Sequence, residues 1–596
     1  MKLSIFFKSV SRMMLFAALF STLPLLVYSQ QQPQQEPQIQ RHLDMSVFIN
    51  QAGYHPRAAK YLVTKPEYTE FEVLNVETNG VVYKGKLEAG GKDLGDYMVG
   101  AFTAVETPGT YYIRAGKSRS FPFKISKYVY DEPMQLVVYY LSKQRCGNST
   151  TGFMTPCHLE DGWRKDNRGE YKDVTGGWHD ASDLRKWVHH TIYGMVGLLR
   201  MAETIRPGWD TGQVKDELLW GNRFFLNMQE PEGYVMRHVG GDLFRHGDSN
   251  RWTDNIMFND DDRGIETAPN SDLVQYIFVQ VQAMMSRFMS SDPEYSHRCL
   301  EAAINCFNWC SDNVRNYTTG VAGSAVMAGI ELYKTTGESK YIDFAYRMAD
   351  LIVSRQIPAG SASPVSGFFR NADESENFYR ENAYTDYALT GLCKLVLAFP
   401  ERQNAKYIDA IKRYCDNYLM VIYNKNAFGL MPYEIYAKET PTGRQLDGGY
   451  WYKYFMNPTL SWWVGINANI TGKGVGLAMA SRILKDPKLL DVAQRQLDWV
   501  LGANPFGTST MRGVGYEHPK FPTAYGNNHY LPAPPLTGGG EFIPPTPHIP
   551  GAVLNGIGGD INDMPDLHLG SYNTGEYWMP MIGLTLWLMA ELTSMN

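Results

Sequence analysis

The spacing of apolar positions changes character once along the chain. Between residues 45 and 126, short β-branched and aromatic runs (MSVFINQAGY, KYLVTK, EFEVLNV, GVVYKGKL, TYYIRA and SFPFKIS) are separated by Asn-Gly, Gly-Gly, Pro-Gly and Gly-Lys turns. Runs of this kind bounded by turn residues predict short strands. Several in so short a stretch predict an immunoglobulin-like sandwich. From residue 131 the period becomes helical. The pattern predicts helices over 135–143, 184–205, 213–229, 271–288, 295–313, 321–336, 340–355, 383–399, 404–421, 458–484, 487–501 and 577–592. In 340–355, Tyr341, Phe344, Ala345, Met348, Leu351 and Ile352 keep the 3.6-residue period of one buried face. The helix before it ends at Thr336-Gly337-Glu338, so the two form a helical hairpin with a short loop. Hairpin follows hairpin, which predicts a toroid of paired helices and not a bundle. The segments 240–267 and 511–566 are too long to be plain connections and are expected to carry function.

Composition adds an address. With 596 residues, 44% of them apolar, the chain can hold two or more domains around a large core. The residues before Ser29 read as a secretory leader over 1–29: Lys2, Lys8 and Arg12 precede an apolar stretch broken by Pro24. That stretch is short and interrupted for a transmembrane anchor. A polar Gln/Pro-rich linker over 30–44 follows. The mature protein is therefore expected to be exported, to the periplasm or beyond, with no membrane anchor. A formal net charge of −6 gives no reason to expect nucleic acid as a partner. Seven cysteines are too few for a disulfide scaffold in an exported chain of this length. Cys299, Cys306, Cys310, Cys393 and Cys415 sit in helical runs and read as small core residues. The 38 tyrosines and 13 tryptophans suit either a core or a stacking surface for sugars.

Chemistry concentrates in DVTGGWHDASDLRKWV, residues 173–188. Gly176 and Gly177 permit a tight turn. Asp180 and Asp183 follow at i, i+3 spacing, expected on one face of a helix N-terminus, where anions are favoured. One carboxylate of such a pair can hold a water while the other takes its proton. Plain N-capping is the competing reading.

The surrounding motifs give the stretch a family context. VFINQAGYHP, KQRCG, ELLWGNRFFLNMQ with its following Val239-Gly240 turn, LDWVLGANPFGTSTMRGVG, IPGAVLNGIGGD and YNTGEYW occur in that chain order around DVTGGWHDASD. Together they resemble glycoside hydrolase family 9, the cellulase family that pairs an N-terminal immunoglobulin-like domain with an (α/α)6 barrel. DVTGGWHDASD is similar to its D-x-x-G-G-W-x-D-A-G-D signature, with Ser182 in place of Gly. The resemblance implies a β-sandwich over 45–127 and an all-α (α/α)6 barrel over 128–596. It further implies an inverting hydrolase of β-linked glucans. Such chemistry uses an acid to protonate the leaving oxygen and a carboxylate to activate water, about 6.5–9.5 Å apart. By resemblance Asp183 is the base, Asp180 helps place the water, and Glu576 is the acid, its pKa expected to rise beside Tyr572, Tyr577 and Trp578. Substrate contacts are expected at Trp178, Arg512, His529, Tyr572 and Trp578, and the working unit is expected to be a monomer.

Cys146, Cys157, His158 and His179 offer the thiolate and imidazole donors of a structural zinc site. Their spacing matches no zinc finger, but QRCG, the adjacent Cys-His and the His of GGWHD resemble zinc ligands of family members with this N-terminal domain. A zinc there would brace the loop that carries Asp180. A Cys146–Cys157 disulfide is the rival reading. For calcium, Ser271-Asp272 resembles one ligand segment of the family without the acidic residue that usually follows, and Asp260-Asp261-Asp262 is either a hard-cation site or a solvated loop.

The resemblance is incomplete around the sugar. The His-His-Arg run of the family's cellulases is replaced by YGNNHYLPAPP, with Asn527, Asn528 and His529; Arg512 is a stand-in for the missing arginine. Only His246 and Trp252 persist from an early His-rich segment, and Leu184 and Trp187 replace the usual aromatic and Tyr. Lost subsite contacts change which sugar fits. Hydrolysis is thus a firmer expectation than cellulose itself. An exo-acting enzyme releasing short sugars and a non-catalytic carbohydrate-binding protein remain alternatives. A polysaccharide lyase is disfavoured by the paired aspartates. The Pro/Gly-rich stretch 531–551 reads as an insertion that shapes one end of the cleft.

Overall fold

The computed structural model describes residues 44–596 except 154, 182, 206–208, 210, 244–252, 361–362, 381–383, 461–464, 520, 524–525, 530–536, 539–540, 543–548, 569–570 and 595–596, and only the backbone at 242, 521–523, 526–529, 537–538, 541–542 and 572. The expected leader, nearly all of the linker, and His246 and Trp252 therefore lie outside the described residues.

Ten strands open the described residues: β1 (Val47–Phe48), β2 (Gly53–Tyr54), β3 (Tyr61–Thr64), β4 (Glu70–Asn75), β5 (Val81–Lys86), β6 (Glu88–Ala89), β7 (Met98–Ala101), β8 (Gly109–Ala115), β9 (Ser118–Arg119) and β10 (Phe123–Ile125). They form two sheets, β1-β3-β7-β6 and β2-β10-β8-β4-β5, with β9 added to β8. Period-2 alternation points Phe71, Val73, Tyr111, Ile113, Phe123 and Ile125 into a core of the sandwich's own. The run MSVFINQAGY is two strands, not one. Asn50 Oδ1 accepts the Ala52 and Gly53 amides, and the resulting turn sends β1 and β2 to different sheets.

The helices are α1 (Asp131–Lys143), α2 (Val188–Ala202), α3 (Thr211–Asn227), α4 (Asp272–Phe288), α5 (Pro293–Asn313), α6 (Thr319–Thr336), α7 (Ser339–Ser354), α8 (Tyr387–Ala398), α9 (Ala405–Tyr414), α10 (Met420–Tyr423, joined to α9 by one π turn), α11 (Ile466–Leu484), α12 (Pro487–Val500), the short α13 (Tyr572–Gly575) and α14 (Met579–Ser594). Six of them, α2, α4, α6, α8, α11 and α14, pack each on the next, and α14 closes on α2. This is the inner ring of an (α/α)6 barrel. Its members are buried nearly all round, whereas α5 and α7 bury one stripe against it. The ring closes through a glycine pair: a Cβ on Gly197 of α2 would lie 2.6 Å from the Gly583 carbonyl of α14. The α6–α7 hairpin turns at Gly337 (φ +74°), as its Thr-Gly-Glu sequence predicts.

The expected helix over 184–205 is corrected at its start. Residues Lys186–Trp187 form a strand, β12, paired with β13 (Met236–Asp242), and only then does α2 begin. With β11 (Trp163–Arg164) and β14 (Arg263–Pro269) these make a sheet of order β11-β14-β13-β12 above one end of the ring. The long segment 240–267 is thus bordered by paired strands. The last helix begins at Met579, and within 458–484 the described helix is Ile466–Leu484, preceded by Gly465 at φ +85°.

Candidate active site

The loop 173–187 is shaped by its glycines. Gly177 has φ +72°, and a Cβ there would come within 2.8 Å of the Phe224 side chain. The turn directs Trp178 inward. The sugar-contact expectation for Trp178 is corrected accordingly. Its side chain is fully buried, Nε1 donates to Glu217 Oε2 at 3.1 Å, and its ring fills the space left by Gly221. It is a platform beneath the loop.

Beyond the platform, the Asp180 amide donates to the Arg185 carbonyl (2.8 Å), which closes a tight loop holding Leu184 at φ +57°. Neither aspartate stands at a helix N-terminus. The residue before α2 is Trp187, and its side chain makes no capping bond. The loop is held by a buried charge cluster instead. Asp161 accepts Arg263 Nε and Nη2 (2.8 Å each) and lies 2.8 Å from Lys186 Nζ, all with fully buried side chains. The cations also grip the loop backbone: Arg263 Nη1 donates to the Leu184 carbonyl (2.8 Å), and Lys186 to those of Val174 (2.7 Å) and Gly176 (3.1 Å). Burial pushes the Asp161 carboxyl up, but Arg263 and Lys186 outweigh it and leave the pKa below its usual value.

The two aspartates differ in environment. Asp180 is buried, and Oδ2 lies 3.0 Å from His190 Nδ1. Burial, with the neighbouring Asp183 charge, raises its pKa well above the usual range, against an opposing bond from the Met579 amide. Asp183 reaches solvent, its side chain 26% exposed. Its Oδ1 accepts the Arg185 amide (3.2 Å), and its Oδ2 faces Trp187 Nε1 (3.5 Å) and Arg185 Nε (3.9 Å). The open member of the pair is the one available to a reacting water.

Glu576 approaches from the far end of the chain. Its carbonyl accepts the Asn555 amide (2.7 Å), and Tyr577 bridges to Leu554. Asn467 Nδ2 donates to the Leu554 carbonyl (2.9 Å), so the acid-bearing segment is fixed to α11. The Glu576 carboxyl is nearly enclosed, and Trp578 Nε1 donates to Oε2 at 2.7 Å. Of the expected aromatic neighbours, Tyr577 turns away to pack edge-on against Tyr140. Trp578 instead faces the aspartates, its ring 4.6 Å from His190. Asp180, His190, Trp578 and Glu576 thus form one unbroken chain of contacts.

The rim of the site surrounds Trp187 with three histidines, His189, His190 and His238, that sequence reasoning did not single out. Trp187 packs on His238 (3.9 Å between ring centroids) and on His189 (5.3 Å), and His189 on His190 (3.9 Å). Burial pushes His190 down to about 3 and His238 to about 2, so both imidazoles are neutral at physiological pH. A His-His pair one residue after the signature's Lys-Trp was the available signal. Arg512 is fully enclosed and donates from Nη2 to the Pro519 carbonyl (3.0 Å). The side chains of His529 and Tyr572 lie outside the described residues.

Next to this site, Cys146, Cys157, His158 and His179 are all buried, with one donor atom from each within 4.8 Å of the others. Both cysteines are free, so the disulfide of the rival reading is not formed. Burial alone would raise the Cys146 thiol, but the Cys157 S–H, Lys186 and the two histidines outweigh it and hold the pKa well below the usual value. Thiol and imidazole donors at such spacing can hold a metal ion. It is the one such cluster among the described residues. At the acidic run, Asp261 and Asp262 accept the Asp254 and Phe258 amides (2.7 and 2.8 Å), and so tie their own loop together.

Comparison with known proteins gives the family and the fold. The family described as Glycosyl hydrolase family 9 matches residues 130–577, and the Cellulase N-terminal ig-like domain matches residues 43–120. Endoglucanase D of Acetivibrio thermocellus is 25% identical over 362 residues, 53% of this chain. The chain spans about half, 55%, of that relative's length. A Cellodextrinase of Butyrivibrio fibrisolvens is 25% identical over 542 residues, covering 82% of this chain and 87% of its own. Among solved structures, a Bacteroides ovatus protein of the same family superposes with a TM-score of 0.64 at 18% identity, over 92% of this chain and 99% of its own. That likeness establishes the fold: an immunoglobulin-like sandwich followed by an (α/α)6 barrel.

Proposed function

The chain belongs to glycosyl hydrolase family 9, and from that premise we propose that it hydrolyses β-linked glucans with inversion. Asp183 is the general base, Asp180 holds the attacking water beside it, and Glu576 is the general acid. The observation that carries this reading is the contact chain from Asp180 through His190 and Trp578 to Glu576, which joins carboxylates almost four hundred residues apart. Glu576 protonates the leaving glycosidic oxygen. On the opposite face, Asp183 removes a proton from water as its oxygen attacks the anomeric carbon. One proton is given up and one gained, and the configuration inverts. The substrate is an uncharged glucan, consistent with aromatic and imidazole rings around the carboxylates. Two relatives, an endoglucanase and a cellodextrinase, leave cleavage within chains and release from chain ends as the two modes to separate.

The four-residue cluster is proposed as a structural zinc site. With zinc bonds of about 2.0–2.1 Å to nitrogen and 2.3 Å to sulfur, a tetrahedron has edges of about 3.4 Å (N···N) and 3.6 Å (N···S). The corresponding spacings here are 3.4 Å between His179 Nε2 and His158 Nδ1, 3.5 Å for Cys146–His158 and 3.7 Å for Cys157–His179. Zinc would fix the backbone immediately before Asp180 and take no part in the reaction. Export by the leader at residues 1–29 is part of the same reading, since glucan polymers are met outside the cytoplasm.

Product profiling on cellulose derivatives, mixed-linkage glucan, xyloglucan, glucomannan and short cello-oligosaccharides tests the proposal. Oligomers from one polymer, abolished by Asp183→Ala and by Glu576→Gln, are the expected result. Short sugars released from oligosaccharides alone would assign the chain-end mode. Activity that survives either substitution would overturn the assignment of roles.

A further inference from the structure

Closing the helical ring brings α2, which follows the Asp180–Asp183 loop, against α14, which follows Glu576. His190, in the first turn of α2, stands at that seam. Its Nδ1 is 3.0 Å from Asp180 Oδ2. The other side of the ring lies on Trp578, with centroids 4.6 Å apart and planes inclined by 48°. Trp578 in turn donates to Glu576 Oε2 at 2.7 Å. The Met579 amide, bonded to Asp180, is a backbone tie between the same two segments. The ring of the neighbouring His189 packs toward Trp187.

We propose that His190 is a positioning residue for the reaction, holding Asp180 by a hydrogen bond and Trp578 by ring contact so that base loop and acid keep one spacing. The proposal rests on the hydrolytic reading of this site. The physical requirement is strict: an inverting reaction needs water and leaving oxygen on opposite faces of one sugar, and a misplacement of about 1 Å can cost about 100-fold in rate. The loop that carries Asp183 is irregular and α13 is a single turn, so both carboxylates are held through contacts of their segments, among them the Asn467–Leu554 bond and the bond from the Met579 amide to Asp180. A rigid ring hydrogen-bonded to one segment and packed on the other adds a side-chain constraint on their spacing.

The two contacts can be separated. His190→Phe keeps a ring against Trp578 and removes the hydrogen bond; His190→Gln keeps a donor and removes the ring; His190→Ala removes both. On the glucan hydrolysed by the wild type, His190→Phe is expected to lower kcat about 10- to 100-fold with KM within about 2-fold. Its effect should shrink in an Asp180→Asn background, because both changes break one bond. A crystal structure of His190→Ala supplies a readout independent of turnover: the Asp180 carboxylate should rotate and the Trp578–Glu576 bond should lengthen or break. Zinc content and thermal midpoint identify any variant that has simply failed to fold, in which case His190→Gln carries the test. A His190→Phe enzyme with kcat within 2-fold of wild type, or an Ala structure with both contacts unmoved, would overturn the proposal. If the wild type hydrolyses no glucan, the functional reading fails by itself, and the Ala structure still decides the coupling.

Discussion

Asp161→Asn is the sharpest test of how the base loop is held. Asp161 makes no contact with the proposed reacting groups, yet it is the anion between Arg263 and Lys186, the two cations that hold the carbonyls of Leu184, Val174 and Gly176. All three side chains are fully buried. Asparagine is nearly isosteric, so packing survives while the charge is lost. Two buried cations are then left without their carboxylate, with the Cys146 sulfur as a neighbouring anionic group. Breaking a buried pair in this way costs about 3–5 kcal/mol. At about 2 °C per kcal/mol for a large domain, the thermal midpoint should fall by about 6–10 °C. Because Arg263 fixes the carbonyl next to Asp183, kcat should fall more than KM rises. Thermal unfolding and steady-state kinetics on one preparation measure both effects. The exposed pair Lys438–Glu376 is the control, and Glu376→Gln should leave the midpoint unchanged. An Asp161→Asn protein melting within about 1 °C of wild type would refute the reasoning, since two buried cations cannot lose their anion at no cost.

Two further predictions concern parts remote from the sugar. Elemental analysis should find about one zinc per chain, lost in Cys157→Ser, with a lower thermal midpoint and reduced kcat; a metal-free wild type at full activity would remove zinc from the account. At the seam between sandwich and barrel, Asp498 accepts Asn50 Nδ2 (2.9 Å) and Gln494 Nε2 (2.7 Å), and burial raises its pKa to about 7 against those bonds. A folded-state pKa above the unfolded one contributes stability that is complete below about pH 4 and is lost as pH rises through about 7. Asp498→Asn should therefore gain on the wild type in thermal midpoint between pH 5 and pH 8. An unchanged difference across that range would count against a buried, uncharged Asp498.

What the sequence settled by itself was whatever local periodicity and short motifs encode. The change from period 2 to period 3.6 near residue 130 separates the sandwich from the helical ring, because burying one face of a strand or one stripe of a helix imposes that spacing. The α6–α7 hairpin was legible in its Thr-Gly-Glu turn. So was the donor set Cys146, Cys157, His158 and His179, because few residue types bind metal. The tertiary structure decided how these pieces act together. The signature reads as a helix start, yet β13 pairs with Lys186–Trp187, Leu184 takes positive φ, and Arg263, distant in sequence, holds its carbonyl. Trp178 reads as a sugar platform, yet the Gly177 turn and the space at Gly221 draw it under the loop. His190 shows locally only as half of a His-His pair, which does not say what it touches. Its place between Asp180 and Trp578 exists only because the last inner helix closes on the first. Local sequence fixes dihedral preference and periodicity within about one element, whereas the spacing of two carboxylates nearly four hundred residues apart is set by how a ring of helices closes.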